Sequence, residues 1–418
     1  MTSGRIHYLC DQRGPKQNAA AFATQCAEAF DDVTPAVEGF VETFQYLADR
    51  VDGPCIAALD EFSYLVEADE TVPSVFQTIV DDVLTDTEIS LILLGSSISL
   101  MEEGVLSYES PLYGRRTGQW ELDPLSFTDM RAFVPEADIE TQIQIYSVLG
   151  GMPAYLEQFD SAQGLFDNIE RQILSKGAFL YEEPEFLLRQ ELREPATYLS
   201  ILEAIAGGAT RVTEIAAEIG KDASSLSRYL QNLTQLAVIE QEHPVTDPDG
   251  RGLYRITDNF LRFWFRYVAP NRNTLEQGRT RPVREAISET LPTHTSRTFE
   301  TVCQQAVATE SFPVSCARVG RWWYDEQEID VVGVDSETTT LLLGECKWTT
   351  EPVGSKLLAD LESTATDVRW NNGGRTVEYA LFSRQGFQTA LHEQAAQRGD
   401  LHLYSLVDLE TLFSADHR

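Results

Sequence analysis

The chain has 418 residues, 43% of them apolar, and carries 66 Asp and Glu against 32 Lys and Arg, a net charge of −34. That length holds two to four domains, each with its own core. No run approaches the roughly 18–20 apolar residues of a membrane-spanning helix, and Met1–Cys10 lacks the pattern of a signal peptide, so a cytoplasmic protein without a membrane partner is expected. The acidity runs through the whole chain, and the only lysines are Lys16, Lys176, Lys221, Lys347 and Lys356. An acid-covered, lysine-poor surface fits molar salt, where repulsion is screened within a few ångströms. Under such screening the net charge does not decide against nucleic acid, and local patches do. None of the six cysteines forms a Cys-x-x-Cys pair, so buried free thiols are expected rather than a zinc site.

Taken in chain order, residues 6–10 read as a strand, 17–30 and 37–50 as helices, 55–59 as a buried strand, 75–84 as a helix and 90–94 as a second buried strand. Apolar runs separated by helices indicate a parallel sheet covered on both faces. Residues 126–193 are helical only, broken at Gly150-Gly151-Met152-Pro153. Residues 195–270 give three short helices and a strand-turn-strand, the pattern of a winged helix-turn-helix. Residues 271–292 are polar and poorly patterned and read as a linker. The remainder returns to α/β, with strands at 330–334, 338–345 and 379–382.

The strand Cys55–Leu59 runs into Asp60 and Glu61. Adjacent acids at a strand's C-terminal edge suit nucleotide hydrolysis, Asp60 holding Mg²⁺ through water and Glu61 polarising the attacking water, although buried strands also end this way by chance. The next strand ends in Gly95-Ser96-Ser97, where Ser96 suits a sensor of the γ-phosphate or simply a helix cap. Arg115 and Arg116, in the loop Tyr113-Gly114-Arg115-Arg116, are candidates for an arginine finger or two solvated charges.

These segments, with Asp11-Gln12, Asp123-Pro124-Leu125-Ser126-Phe127, Gly150-Gly151-Met152-Pro153, Tyr181-Glu182-Glu183-Pro184-Glu185-Phe186 and Leu192-Arg193-Glu194-Pro195-Ala196, closely resemble archaeal P-loop ATPases of the AAA/STAND-like type that carry a restriction-endonuclease-like C-terminal domain. The resemblance implies ATP and Mg²⁺ as cofactors, with Asp60, Gly151 and Pro153 at the nucleotide. One departure is plain: no Gly-Lys-Ser or Gly-Lys-Thr phosphate loop occurs, and Gly14-Pro15-Lys16 is not one. Two readings follow, a true start upstream or a lost first strand, loop and helix. The first is favoured because the downstream residues look intact. As written, the chain is expected to bind ATP poorly or not at all.

Within the winged helix, Asp222-Ala223-Ser224-Ser225-Leu226-Ser227-Arg228 opens the third helix with an Asp cap and a Ser-rich turn, as recognition helices often do. DNA contact is expected through Ser224, Ser225, Arg228, Arg251 and Arg255, the last two on the wing; a protein-binding module is the alternative. Further on, Glu300 lies on an amphipathic helix, Asp330 on a strand, and Glu345-Cys346-Lys347 at the end of the next. Alternate residues of a strand share a face, so Glu345 and Lys347 meet. This resembles the PD-(D/E)xK nuclease core, with Asp330, Glu345 and Glu300 holding Mg²⁺ and Lys347 orienting or deprotonating water.

The expected architecture is α/β multidomain. Residues 1–125 form a P-loop NTPase sheet without its first strand and phosphate loop, 126–194 a helical lid, 195–270 a winged helix-turn-helix, 271–292 a linker, and 293–418 a restriction-endonuclease-like α/β domain. The leading function is an ATPase-family protein coupling DNA binding to a nuclease-like domain. The alternatives are a non-enzymatic regulator that binds DNA or protein, and an ATP-independent Mg²⁺ nuclease. A protein partner or self-association is compatible with each.

Overall fold

The computed structural model describes residues 4–96, 101–192, 195–371 and 373–415. Ser97, Arg193 and Glu194 of the segments quoted above lie outside the described residues. The chain divides into two compact units, Met1–Leu122 and Asp123–Arg418. Among the described residues no helix is long and apolar enough to cross a membrane.

The first unit runs β1 (Gly4–Leu9), α1 (Pro15–Ala29), α2 (Phe40–Arg50), β2 (Cys55–Asp60), α3 (Ser63–Ala68), α4 (Val72–Thr78) and β3 (Ile89–Leu93). The strands lie side by side in chain order, all parallel, with Leu9 level with Asp60 and Leu59 level with Leu93. Phe22 of α1, Phe44 of α2, Phe62 and Phe76 of α4 are fully buried, and the Phe62 and Phe76 rings meet edge-on at 4.8 Å. The expected parallel sheet is present, but within this unit it is covered on one face only. Cys55, Ala57 and Leu59 are buried while Ile56 and Ile92 are exposed, because alternate residues point to opposite faces and the helices pack on one.

The second unit contains α5 (Ile139–Leu149), α6 (Phe179–Glu191), α7 (Pro195–Gly207), α8 (Val212–Ile219), α9 (Ala223–Gln235), β4 (Ile239–Glu242), β5 (Leu253–Ile256), α10 (Asn259–Tyr267) and α11 (Arg281–Val307). It continues with β6 (Arg318–Tyr324), β7 (Gln327–Asp335), β8 (Thr340–Lys347), α12 (Ser355–Thr364), β9 (Thr376–Ser383), α13 (Thr389–Gln397), β10 (Leu401–Ser405) and α14 (Leu406–Ala415). Its hub is α10, which Asp258 caps by accepting the Leu261 N–H at 2.8 Å. Five aromatic residues of this helix, Phe260, Phe263, Trp264, Phe265 and Tyr267, are buried, and Trp264 Nε1 donates to the Tyr181 carbonyl at 2.9 Å. One apolar core runs from Phe127 to Phe413.

The linker expected at 271–292 is corrected by the structure: residues 272–276 are helical, and α11 then runs unbroken for 27 residues. Val283, Ile287 and Leu291 bury one stripe, which continues through His294, Thr295 and Thr298 to Phe299, Val302 and Cys303. The spacing of three and four is that of a packed helix. It was hidden because the middle of the stripe is polar and Pro292 interrupts it. Those polar groups are satisfied: His294 Nε2 lies 2.8 Å from the Ser147 carbonyl and Thr295 Oγ1 3.1 Å from Ser147 Oγ.

The C-terminal sheet has the order β10-β9-β8-β7-β6, with β8 parallel to β9 and antiparallel to β7. The wing between β4 and β5 does not stand free. Its Val245 N–H donates to the Arg321 carbonyl of β6 at 2.9 Å.

Candidate functional sites

In the first unit β2 delivers Asp60 to the sheet's C-terminal edge, beside the end of β1. Asp60 Oδ2 lies 3.3 Å from His7 Nε2, and Asp60 Oδ1 accepts the Glu61 N–H at 2.9 Å. Glu61 has a φ of +52°, in the left-handed region that a side-chain-bearing residue rarely adopts. That turn aims its carboxylate at the next strand end, where Ser96 Oγ donates to Glu61 Oε2 at 2.9 Å. The structure therefore brings Asp60, Glu61 and Ser96 together. It treats the two arginines differently. Arg115 Nε donates to both oxygens of Asp81 at 2.8 and 2.9 Å and its Nη1 to the Pro111 carbonyl, so its guanidinium is committed to holding its own loop. Arg116 is exposed, with its guanidinium 5.4 Å from the Tyr113 ring centre.

Gly151 and Pro153 belong to the second unit, and each has a reason internal to it. The Gly151 carbonyl accepts the Leu125 N–H at 2.9 Å, and a Cβ on Gly151 would stand 2.0 Å from the Leu125 oxygen, so only glycine fits. Pro153 opens a short helix at a position where its missing N–H costs nothing.

The C-terminal carboxylates form a largely buried polar cluster. The ladder between β7 and β8 ends at Val331 and Gly344. Just beyond it Asp330 Oδ2 replaces the missing backbone partner, accepting the Cys346 N–H at 3.0 Å. Lys347 Nζ sits 2.8 Å from Glu345 Oε2 and 3.9 Å from Asp330 Oδ2. Burial, then the Asp330 charge, pushes Glu345 up to about 7, with Lys347 opposing. Burial alone would draw the Lys347 ammonium down, but Glu345 and Asp330 outweigh it and raise its pKa.

Glu300 projects from α11 toward the same region, and burial followed by Asp330 pushes it up to about 8. Yet its Oε2 is 3.6 Å from Arg321 Nε, and among the described residues no three His, Cys, Asp or Glu side chains are placed to share a metal. The three-carboxylate set read from the sequence thus resolves into the pair Asp330–Glu345 with Glu300 facing an arginine. Two crowded hard-oxygen donors fit Mg²⁺, which takes one or two protein carboxylates and completes its shell with water and phosphate.

On the helix-turn-helix, Ser224, Ser225 and Arg228 are exposed along the start of α9. Asp222 makes no side-chain cap; instead Ser225 Oγ donates back to the Asp222 carbonyl at 2.7 Å. Arg251 is exposed near the wing tip. Arg255 is a correction. Its guanidinium turns inward to Glu242 Oε2 at 2.6 Å, both side chains more than four-fifths buried, so it does not join the exposed residues. Glu242 also lies 3.8 Å from Arg321, which reaches Glu328 at 2.8 Å. Sequence reading missed this buried charge network, whose partners lie on strands far apart in the chain. All six cysteines are free, five buried and Cys316 half-buried.

Comparison with known proteins finds three family models along the chain. A family model described as an ATPase domain predominantly from Archaea matches residues 12–159, an IclR helix-turn-helix model matches 198–243, and a model of archaeal and bacterial proteins of unknown function matches 264–360. An uncharacterized protein of Methanocaldococcus jannaschii is 36% identical over 349 residues, covering 82% of this chain and 77% of that protein. A second uncharacterized protein of the same organism is 47% identical over 60 residues, 14% of this chain and 58% of its own length. A Walker-type ATPase of Pyrococcus abyssi superposes with a TM-score of 0.46 at 20% identity, covering 63% of this chain and 84% of its own. With this relative aligned over most of both chains, and with the three models in this order, the chain belongs to the family of archaeal ATPase-domain proteins that carry a helix-turn-helix and a C-terminal domain of unknown function.

Proposed function

We propose that the chain acts on duplex DNA, engaging it through the start of α9 and hydrolysing phosphodiester bonds at Asp330, Glu345 and Lys347 with Mg²⁺. The observation that carries this reading is the meeting of two buried carboxylates and a lysine at the open end of the β7–β8 ladder. Asp330 and Glu345 would hold the cation, which supplies Lewis acidity at a phosphate oxygen when bound. Lys347, 2.8 Å from Glu345 and 3.9 Å from Asp330, is placed to orient the attacking water and to steady the developing phosphate charge. Arg228 and the serine hydroxyls at the start of α9 are suited to backbone phosphates.

The Asp60–Glu61–Ser96 edge supports descent from an ATP-hydrolysing site. These 418 residues hold no Gly-Lys-Ser or Gly-Lys-Thr to grip the phosphates, so ATP-independent cleavage is the sharper form of the proposal. A cytoplasm of high salt fits the composition. The test is Mg²⁺-dependent cleavage of linear duplex DNA with binding measured in parallel. Lys347→Ala is expected to cut the rate by about a hundredfold or more while DNA affinity stays within about threefold. Wild-type protein that binds DNA but never cleaves it in Mg²⁺ would replace this reading with the non-enzymatic regulator.

A further inference from the structure

In a chain with about twice as many acids as bases, a place where arginines outnumber carboxylates stands out. The second unit has one. A cavity of about 310 Å³ in the second unit is walled by the end of α7, by β5, α10 and α11. Four arginines line it: Arg255 from β5, Arg262 and Arg266 one turn apart on α10, and Arg297 from α11.

Only Arg255 is closely paired, with Glu242. Arg262 donates through Nη2 to Thr298 Oγ1 at 2.6 Å, while its buried Nε has no hydrogen-bond partner. Arg266 has its guanidinium 5.4 Å from the Tyr267 ring centre, and neither the Arg266 nor the Arg297 guanidinium makes a hydrogen bond or close ion pair among the described residues. The single carboxylate on the wall, Glu300, lies 3.6 Å from Arg321 and also feels the Arg297 charge, which reaches Glu240 and Glu242 behind the wall, so one wall carboxylate is shared among several arginines. His294, also on the wall, is held neutral by burial and then by Arg262, so it adds no further positive charge.

Gathering like charges in a half-buried space is unfavourable without a counter-charge. The strain shows in Arg262, whose pKa is drawn down to about 9 by burial, then by Arg297. Guanidinium groups are the side chains best matched to phosphate oxygens, which they grip with paired N–H donors. The volume is at the small end of ligand cavities and suits a compact anion.

We propose that this arginine cavity is a binding site for a phosphate group, borne either by a small phosphorylated molecule or by the terminal phosphate of a nucleic-acid strand. Its walls belong both to the winged helix and to the helix carrying Glu300, so an occupant would tie the two together. The inference does not depend on DNA cleavage.

Calorimetric titration of the full chain, in chloride buffer free of sulfate, tests it. The probes are inorganic phosphate, deoxyadenosine monophosphate, deoxyadenosine, and one short oligonucleotide with and without a 5′-phosphate. The expected result is saturable binding of phosphorylated probes, none of deoxyadenosine, and an affinity loss of about tenfold in each of Arg266→Gln and Arg297→Gln. Binding of inorganic phosphate and the mononucleotide assigns the site to a free ligand; binding confined to the 5′-phosphorylated strand assigns it to a strand end. Equal behaviour of phosphorylated and unphosphorylated probes with wild-type protein overturns the proposal, and that comparison requires no variant to fold. Unchanged affinity in folded Arg266→Gln and Arg297→Gln overturns it equally.

Discussion

Both units gather acids at one end of a sheet, Asp60 closing β2 in the first and Glu345 near the end of β8 beside Asp330, early in antiparallel β7, in the second, and the two sites differ in what surrounds the carboxylates. In the first unit Asp60 keeps about a third of its side chain in solvent and meets His7, while Glu61 meets a serine. In the second, Asp330 is nine-tenths buried, hydrogen-bonded to the backbone of the neighbouring strand and faced by a lysine. Only the second arrangement concentrates opposed charge in a dry environment, where electrostatic interactions act at greatest strength. The same signature, a strand ending in an acid, thus corresponds to two physical situations, and the lysine two residues after Glu345 distinguishes them.

The largest effect expected from a single change lies at Gly151, a residue that the family resemblance places at the nucleotide. Gly151→Ala would drive a Cβ into the Leu125 carbonyl, and a loss of about 3 kcal/mol is expected in denaturant unfolding. A neutral substitution would return Gly151 to the nucleotide side of the comparison. Next is Arg228→Ala on the exposed start of α9. It should weaken DNA binding by about three- to tenfold for all sequences and lower the slope of log affinity against log salt by about one, read from titrations at several salt concentrations. An unchanged slope would remove Arg228 from the interface.

The smallest expected effect concerns a half-buried carboxylate of the second unit. Burial holds Asp258 up to about 6, against an unfolded value near 4. Between roughly pH 4 and 6 the folded state therefore binds more protons than the unfolded one. The stability contributed by this group is full below pH 4 and is lost as pH rises through 6. Asp258→Asn keeps an acceptor for the Leu261 N–H and removes that slope. Melting curves across this range should converge toward the variant's advantage at the upper end; parallel curves for the two proteins would show that Asp258 is not dehydrated.

Much of this was legible in the sequence because periodicity tracks burial. The strands at 55–59 and 90–94 showed as apolar runs, and Glu345 and Lys347 met because a strand's period is two. Residues 281–307 were illegible because their buried stripe contains His294, Thr295 and Thr298, whose partners are on α5 and α10, far away in sequence. Arg255 was misjudged for a related reason. A wing arginine reads as a DNA contact unless one knows that the wing packs on β6 and that Glu242 waits behind it. Arg262 and Arg266 sit four apart in Asn259-Phe260-Leu261-Arg262-Phe263-Trp264-Phe265-Arg266-Tyr267, a spacing that puts them on one helix face.

The most direct test sets the two carboxylate sites against each other: Mg²⁺-dependent cleavage of duplex DNA by Asp60→Asn and by Asp330→Asn, measured side by side with wild type. The account predicts that Asp330→Asn abolishes cleavage while Asp60→Asn leaves the rate within about twofold. Full activity in Asp330→Asn, or loss of cleavage only in Asp60→Asn, would contradict it.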